Sequence, residues 1–231
     1  MSKITVEFFH DVICSFCFPM SYRMRQLQKM MPEVEIVHRS YALAEKEGDF
    51  DRMFGSRAAA KEEILGHWEH ANQNDDLHRF NISGMRQADF PFPTSMKALI
   101  ACKAAFFTGG SSGYWDVFDA LQNALFVQNR NIEAQDVIDD IIRETRIDFE
   151  QWKQHYGDAR TKEAVEKDFL LAEQYKIHSV PCLIINGKYQ VSGAQPLPQI
   201  IHAINSSAEK METNMSDGAS CRLDGNKMEC E

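Results

Sequence analysis

Cys14-Ser15-Phe16-Cys17 sets two thiols three residues apart, directly after the apolar run Ile4-Thr5-Val6-Glu7-Phe8-Phe9 and the polar pair His10-Asp11. Such a pair supports two chemistries, metal binding and dithiol exchange. At a helix N-terminus the unpaired backbone amides and the positive end of the macrodipole favour an anion, so Cys14 is the candidate nucleophile. Cys17, one turn inward, can attack the mixed disulfide that Cys14 forms, releasing a reduced substrate and closing an intramolecular bond, and the sequence of steps also runs backwards. A zinc site needs two further ligands at short spacing, and the chain has no second Cys-x-x-Cys and no His-x-His. Cys221 and Cys230 are possible but distant ligands. The reading is therefore redox, with no metal.

The elements around the pair follow from periodicity. Residues 4–9 read as a buried strand that stops at His10-Asp11. Met20, Met24, Leu27 and Met31 recur at helical spacing, so a helix beginning at or near Cys14 ends before Pro32. Residues 34–41 form a second strand. The middle, about 54–175, reads almost wholly helical, in stretches 57–72, 95–107, 114–128, 134–145, 149–156 and 161–176. Gly109-Gly110-Ser111-Ser112-Gly113 reads as a loop, Phe90-Pro91-Phe92-Pro93 cannot continue a helix, and Pro93-Thr94-Ser95 offers a cap for the next one. Near the end, Asn186-Gly187 between two β-type runs signals a hairpin, and residues 197–211 form a last helix on Ile200, Ile201 and Ile204. The order is β-α-β, a helical block, then β-β-α. The helices read as an insertion packed over one face of a small mixed sheet.

The chain has 231 residues, 44% hydrophobic and 26% charged, the composition of an ordinary globular protein. Its net charge of −9 argues against nucleic acid, which calls for clustered Lys and Arg. No apolar run approaches a bilayer span and no basic-then-apolar segment opens the chain, so a cytoplasmic protein with no membrane partner is expected. In that compartment thiols stay reduced, which favours redox or metal roles for six cysteines over structural staples.

The combination of EFFHDVICSFC, a long helical insertion and VPCLIING resembles the DsbA-type thioredoxin-fold oxidoreductases, and within them the signal-less FrnE-like branch. The resemblance covers nearly the whole chain. It implies an α/β thioredoxin fold over residues 1–50 and 176–212, an inserted helical domain over 51–175, and a flexible tail over 213–231. It also implies that Pro181 is a cis-proline facing the cysteine pair, so that Val180 presents its backbone to an incoming substrate chain. Where relatives often carry Pro with His, Trp or Tyr between the cysteines, this chain has Ser15-Phe16. That pair tunes thiolate stability, so the strongly oxidising character of periplasmic members does not transfer.

The implied function is dithiol-disulfide exchange on protein or small-thiol substrates, with isomerase activity within its scope. It needs no cofactor, with glutathione a candidate thiol substrate and a monomer or homodimer as the assembly. A rival within the same fold is the kappa-class glutathione transferase and 2-hydroxychromene-2-carboxylate isomerase type, which generally has Ser where Cys14 stands. A non-enzymatic rival is a redox-sensing or chaperone-like binding module.

Other residues are open to two readings. His10 is a candidate to stabilise the Cys14 thiolate or move a proton, and Asp11 to shuttle one to the leaving Cys17, against plain loop polarity for both. Cys182, next to Pro181, reads as a buried bystander, a glutathionylation site or an alternative resolving thiol. Cys221 and Cys230 flank the turn signal Asp224-Gly225, so a redox-active or clip disulfide is easy there, with a weak metal site as the alternative. Cys102, Trp68, Trp115, Phe118 and Trp152 read as core. The charge clusters Lys61-Glu62-Glu63 and 163–168 read as solvated helix faces.

Overall fold

The computed structural model describes the backbone of residues 4–216, 221–224 and 227–230, and side chains as far as residue 207. In chain order the elements are β1 (Ile4–His10), α1 (Cys17–Met30), β2 (Val34–Ser40), α2 (Glu47–Phe54), α3 (Arg57–Asn74), α4 (Ile82–Gln87), α5 (Met96–Phe126), α6 (Gln135–Arg143), α7 (Phe149–Tyr156), α8 (Ala159–Gln174), β3 (Cys182–Ile185), β4 (Tyr189–Ser192), α9 (Leu197–Ser216), β5 (Cys221–Asp224) and β6 (Lys227–Cys230).

Four strands form one sheet in the order β2-β1-β3-β4, with β1 parallel to β2 and antiparallel to β3. Side chains alternate across it. Val6, Phe8, Leu183 and Ile185 enter the main core with Met20, Met24 and Leu27 of α1, Phe118 of α5 and Ile200 and Ile204 of α9. Phe9, Cys182 and Ile184 form a second cluster with Ala172 of α8 and Ile177. Because both faces of β1 are covered, its sequence reads as a continuous apolar run rather than an alternating one. The β3–β4 turn has Asn186 at φ 52° and Gly187 at φ 67°, the paired positive values of the tight hairpin that Asn-Gly favours.

The helical block differs from its sequence reading in three places. The expected loop at 109–113 is only a kink within α5, taken up at Gly109 (φ −131°, ψ 17°) and Gly110 (φ 62°, ψ −154°). The second of these backbone states is open essentially to glycine alone. Packing explains why the helix resumes at once: a Cβ on Gly113 would stand 2.5 Å from the Ala105 carbonyl oxygen, so the two arms meet closely. Next, α2 and α4 are short helices in segments that periodicity left unassigned, and α4 is capped by Asn81 Oδ1 accepting from Gly84 N at 3.0 Å. Finally, Asp168 is buried rather than solvated. It ion-pairs with Lys103 of α5 and Arg39 of β2 and accepts the Ser40 amide at 2.9 Å, which ties α8 to the sheet. Glu62 and Glu63 are exposed, whereas Trp68, Trp115, Phe118, Trp152 and Cys102 are all buried in the main core.

Arg23 anchors the helix that follows the cysteine pair. Only 3% exposed, it donates to the Asp76 carboxylate and to the Ala194 and Gln195 carbonyls, joining α1 to the end of α3 and the loop after β4.

Candidate active site

The polypeptide leaves β1 at His10 and turns twice before α1 begins. Cys14 N donates to the Asp11 carbonyl at 3.3 Å, and Cys17 N to the Cys14 carbonyl at 3.0 Å. Cys14 therefore precedes the helix, and Cys17 is its first residue, three positions later than the earliest start that periodicity allows. Ser15 and Phe16 make the intervening turn and are half-buried. Pro19 falls within the first turn, where no intrahelical amide is required. Cys14 is 4% exposed and Cys17 fully buried, and both are free thiols.

The Val180-Pro181 bond is cis, and the Cys14 thiol donates to the Val180 carbonyl at 3.5 Å. The end of the helical block and the start of β3 thus close over the sulfur that leads the motif. Burial raises the Cys17 thiol well above its ordinary pKa, and the adjoining Cys14 sulfur and the Asp11 carboxylate push it further in the same direction. A thiol held neutral in this way needs a base to take its proton before it can attack.

Asp11 is that candidate base. It is fully buried, and burial raises its carboxyl to about 6 against the donated amides of Leu43, Ile13 and Val12 and the Ser95 hydroxyl. Leu43 N donates to Oδ2 at 2.7 Å, Ser95 Oγ to the same oxygen at 2.6 Å, and Ile13 N to Oδ1 at 3.3 Å. The folded chain thus holds this proton up to about pH 6, whereas the unfolded chain releases it near the ordinary carboxyl value of 3.8. Its stabilising contribution is complete below pH 4 and lost as pH rises through 6, about 3 kcal/mol in all. Urea unfolding of the wild type and of Asp11→Asn is expected to show this: the difference in unfolding free energy shifts against the wild type between pH 4 and 7. A constant difference would place the Asp11 carboxyl at its solution value.

His10 has a different partner from the one its position suggests. Its Nε2 lies 3.0 Å from His38 Nδ1, and its ring sits 4.1 Å from that of Phe118. Burial, reinforced by the nearby Lys103 charge, lowers both imidazoles well below the ordinary value. A neutral His10 engaged with His38 supplies no positive charge to a thiolate, because β1 turns its side chain into the core beside Phe8.

Cys182 is fully buried and packs with Phe9, Ala172, Ile177 and Ile184 in the second cluster. Burial raises its thiol above the ordinary pKa. Phe9 is its cross-strand partner, so its side chain shares the face of Phe9 and not that of Phe8 and His10. Cys221 and Cys230 are register partners in the β5–β6 hairpin, but their side chains lie outside the described residues.

Sequence reasoning missed Ser95 and the Leu43 amide, both of which bond Asp11. Ser95 carried a signal, as a hydroxyl after Pro93-Thr94, but one pointing to helix capping. Among the described residues no cluster of His, Cys, Asp and Glu is arranged to hold a metal, and no helix is long and apolar enough to cross a membrane.

The chain belongs to the family of the DSBA-like thioredoxin domain, whose model matches residues 5–205. No curated protein matches it. Among solved structures, it is similar to a suggested protein disulfide isomerase of Nitrosomonas europaea, with TM-score 0.73, 13% identity, and 90% of this chain and 99% of that one covered. It is also similar to the cytosolic disulfide reductase DsbM of Pseudomonas aeruginosa, with TM-score 0.63, 13% identity, and 92% and 98% covered. DsbM solved with glutathione gives a TM-score of 0.64 at 13% identity, with 92% and 99% covered. At these identities the likeness is one of fold.

Proposed function

We propose that the chain is a cytoplasmic dithiol-disulfide oxidoreductase, acting through Cys14 and Cys17 on protein disulfides and dithiols and on glutathione. The observation that carries this reading is the pairing of two free thiols ahead of α1, one on the Val180 carbonyl and the other beside a buried carboxyl.

In the reductive direction, the Cys14 thiolate attacks one sulfur of a substrate disulfide. A mixed disulfide forms and the other substrate sulfur leaves as a thiolate, which takes a proton. Cys17 gives its proton to Asp11 and attacks the Cys14 sulfur, expelling the second substrate thiolate. The protein has then lost two electrons and closed the Cys14-Cys17 bond, and the substrate has gained them as two thiols. Oxidation of a substrate dithiol is the same path reversed. Val180, with Pro181 fixing its carbonyl beside Cys14, offers the backbone along which a substrate strand lies. Ser15 and Phe16 form the surface next to the reacting sulfur.

The test is a paired assay on the reduced protein, with glutathione as electron donor. Reduction of insulin disulfides is expected, lost in Cys14→Ser. Glutathione-dependent isomerisation of 2-hydroxychromene-2-carboxylate that persists in Cys14→Ser, without insulin reduction by the wild type, would assign the kappa-class reaction instead.

A further inference from the structure

Ser95 stands at the cap position of α5, yet its side chain makes no capping bond. It is fully buried, as is Asp11. The Ser95 oxygen accepts from Ala44 N at 3.1 Å, while the Ser95 amide donates to the Ala44 carbonyl at 2.8 Å. With an amide hydrogen already aimed at its oxygen, the hydroxyl has its own hydrogen to give, and Asp11 Oδ2 at 2.6 Å receives it. The direction of this bond is thus fixed by its neighbours.

Oδ2 also accepts the Leu43 amide at 2.7 Å, so two short donors occupy one oxygen of the carboxylate. Oδ1 has the longer bond from Ile13 N at 3.3 Å. Ser95 and Leu43 thus hold the carboxylate in one orientation. From this we propose that Ser95, supplied by the inserted helical block, is a positioning residue of the exchange reaction: it holds the Asp11 carboxylate in place and stabilises its ionised form, which receives the Cys17 proton. The proposal rests on the reading of Asp11 as acceptor of that proton.

The groups surrounding Asp11 leave Ser95 as the adjustable contact. Cys17 on α1, Tyr41 in the loop after β2, and Cys102 and Tyr114 on α5 are all raised by burial and uncharged near neutrality. His10 and His38 are lowered and neutral, with Lys103, paired to Asp168, the cation that acts on both. The remaining donors to Asp11 are backbone amides of Leu43, Ile13 and Val12, which substitution leaves in place. The insertion therefore supplies the one side-chain donor to this carboxylate among the described residues. Because Ser95 makes no capping bond, removing its hydroxyl does not uncap α5.

Two readouts test the proposal: the carboxyl ¹³C shift of Asp11 in the reduced protein against pH, and the rate of the resolving step in the reaction with glutathione disulfide. Loss of one hydrogen bond to a charged group is expected to raise the Asp11 midpoint by about one pH unit in Ser95→Ala. The acid limb of the resolving step moves with it, and Ser95→Thr restores both. Ser95→Gly, tolerated at a cap, carries the same expectation should Ser95→Ala fold poorly. An Asp11 midpoint unchanged in both variants overturns the proposal. A moved midpoint with an unmoved rate profile overturns it through the reading of Asp11, and Asp11→Asn then shows a wild-type profile.

Discussion

Cys14→Ser is expected to reduce insulin-disulfide turnover by about 10³-fold or more, because no other described thiol can take its place as the attacking group. Cys17 and Cys182 are fully buried with raised thiol pKa values, and Cys102 lies inside the main core. Cys17→Ser fails differently. Cys14 still captures a substrate sulfur, but nothing expels the second one, so a mixed disulfide accumulates at Cys14 while turnover falls by a similar factor. Mass spectrometry of the trapped adduct separates the two variants: an adduct on Cys14 in Cys17→Ser and none on Cys17 in Cys14→Ser. Equal adduct formation in both would mean the cysteines are interchangeable, contrary to their different burial and partners.

The second large effect concerns the proton. Asp11→Asn is expected to slow the resolving step about 10²-fold near pH 7, the usual scale for losing a positioned base. In the wild type the rate should rise as pH passes about 6, where the Asp11 carboxyl ionises. In the variant that limb is missing, and the gap narrows at higher pH as Cys17 loses its proton to solvent. Capture by Cys14 is much less affected, since Asp11 acts on Cys17. Rapid-mixing kinetics with glutathione disulfide resolves the two steps, and a single common slowing of both would mean that the substitution distorts the whole turn.

How much of this was legible in the sequence depended on the range of the interaction that fixes each feature. The strand ending at His10, the Asn186-Gly187 turn and the Cys14-Cys17 spacing are set within a few residues, and composition carries them. The helical block was legible as helical, but Gly109 to Gly113 read as a loop, because local propensity does not show that Gly113 abuts the Ala105 carbonyl. Asp168 looked solvated among neighbouring charges, and only the arrival of Lys103 and Arg39 from other elements explains its burial. At the site the same division holds. His10 stands beside the motif in sequence, but the period of two along β1 turns it toward His38. Ser95 stands 84 positions from Asp11, and its bond becomes visible only when the insertion folds back over the sheet.

The central claim is that Cys14 and Cys17 form one redox couple, and equilibration of the wild-type protein in glutathione buffers of varied ratio tests it most directly. Digestion and mass analysis at each ratio should show a single two-electron transition, with the Cys14 and Cys17 sulfurs joined in one disulfide while Cys102 and Cys182 stay reduced. Cys14 and Cys17 remaining unlinked at every ratio, or Cys14 pairing with another cysteine instead, would contradict it.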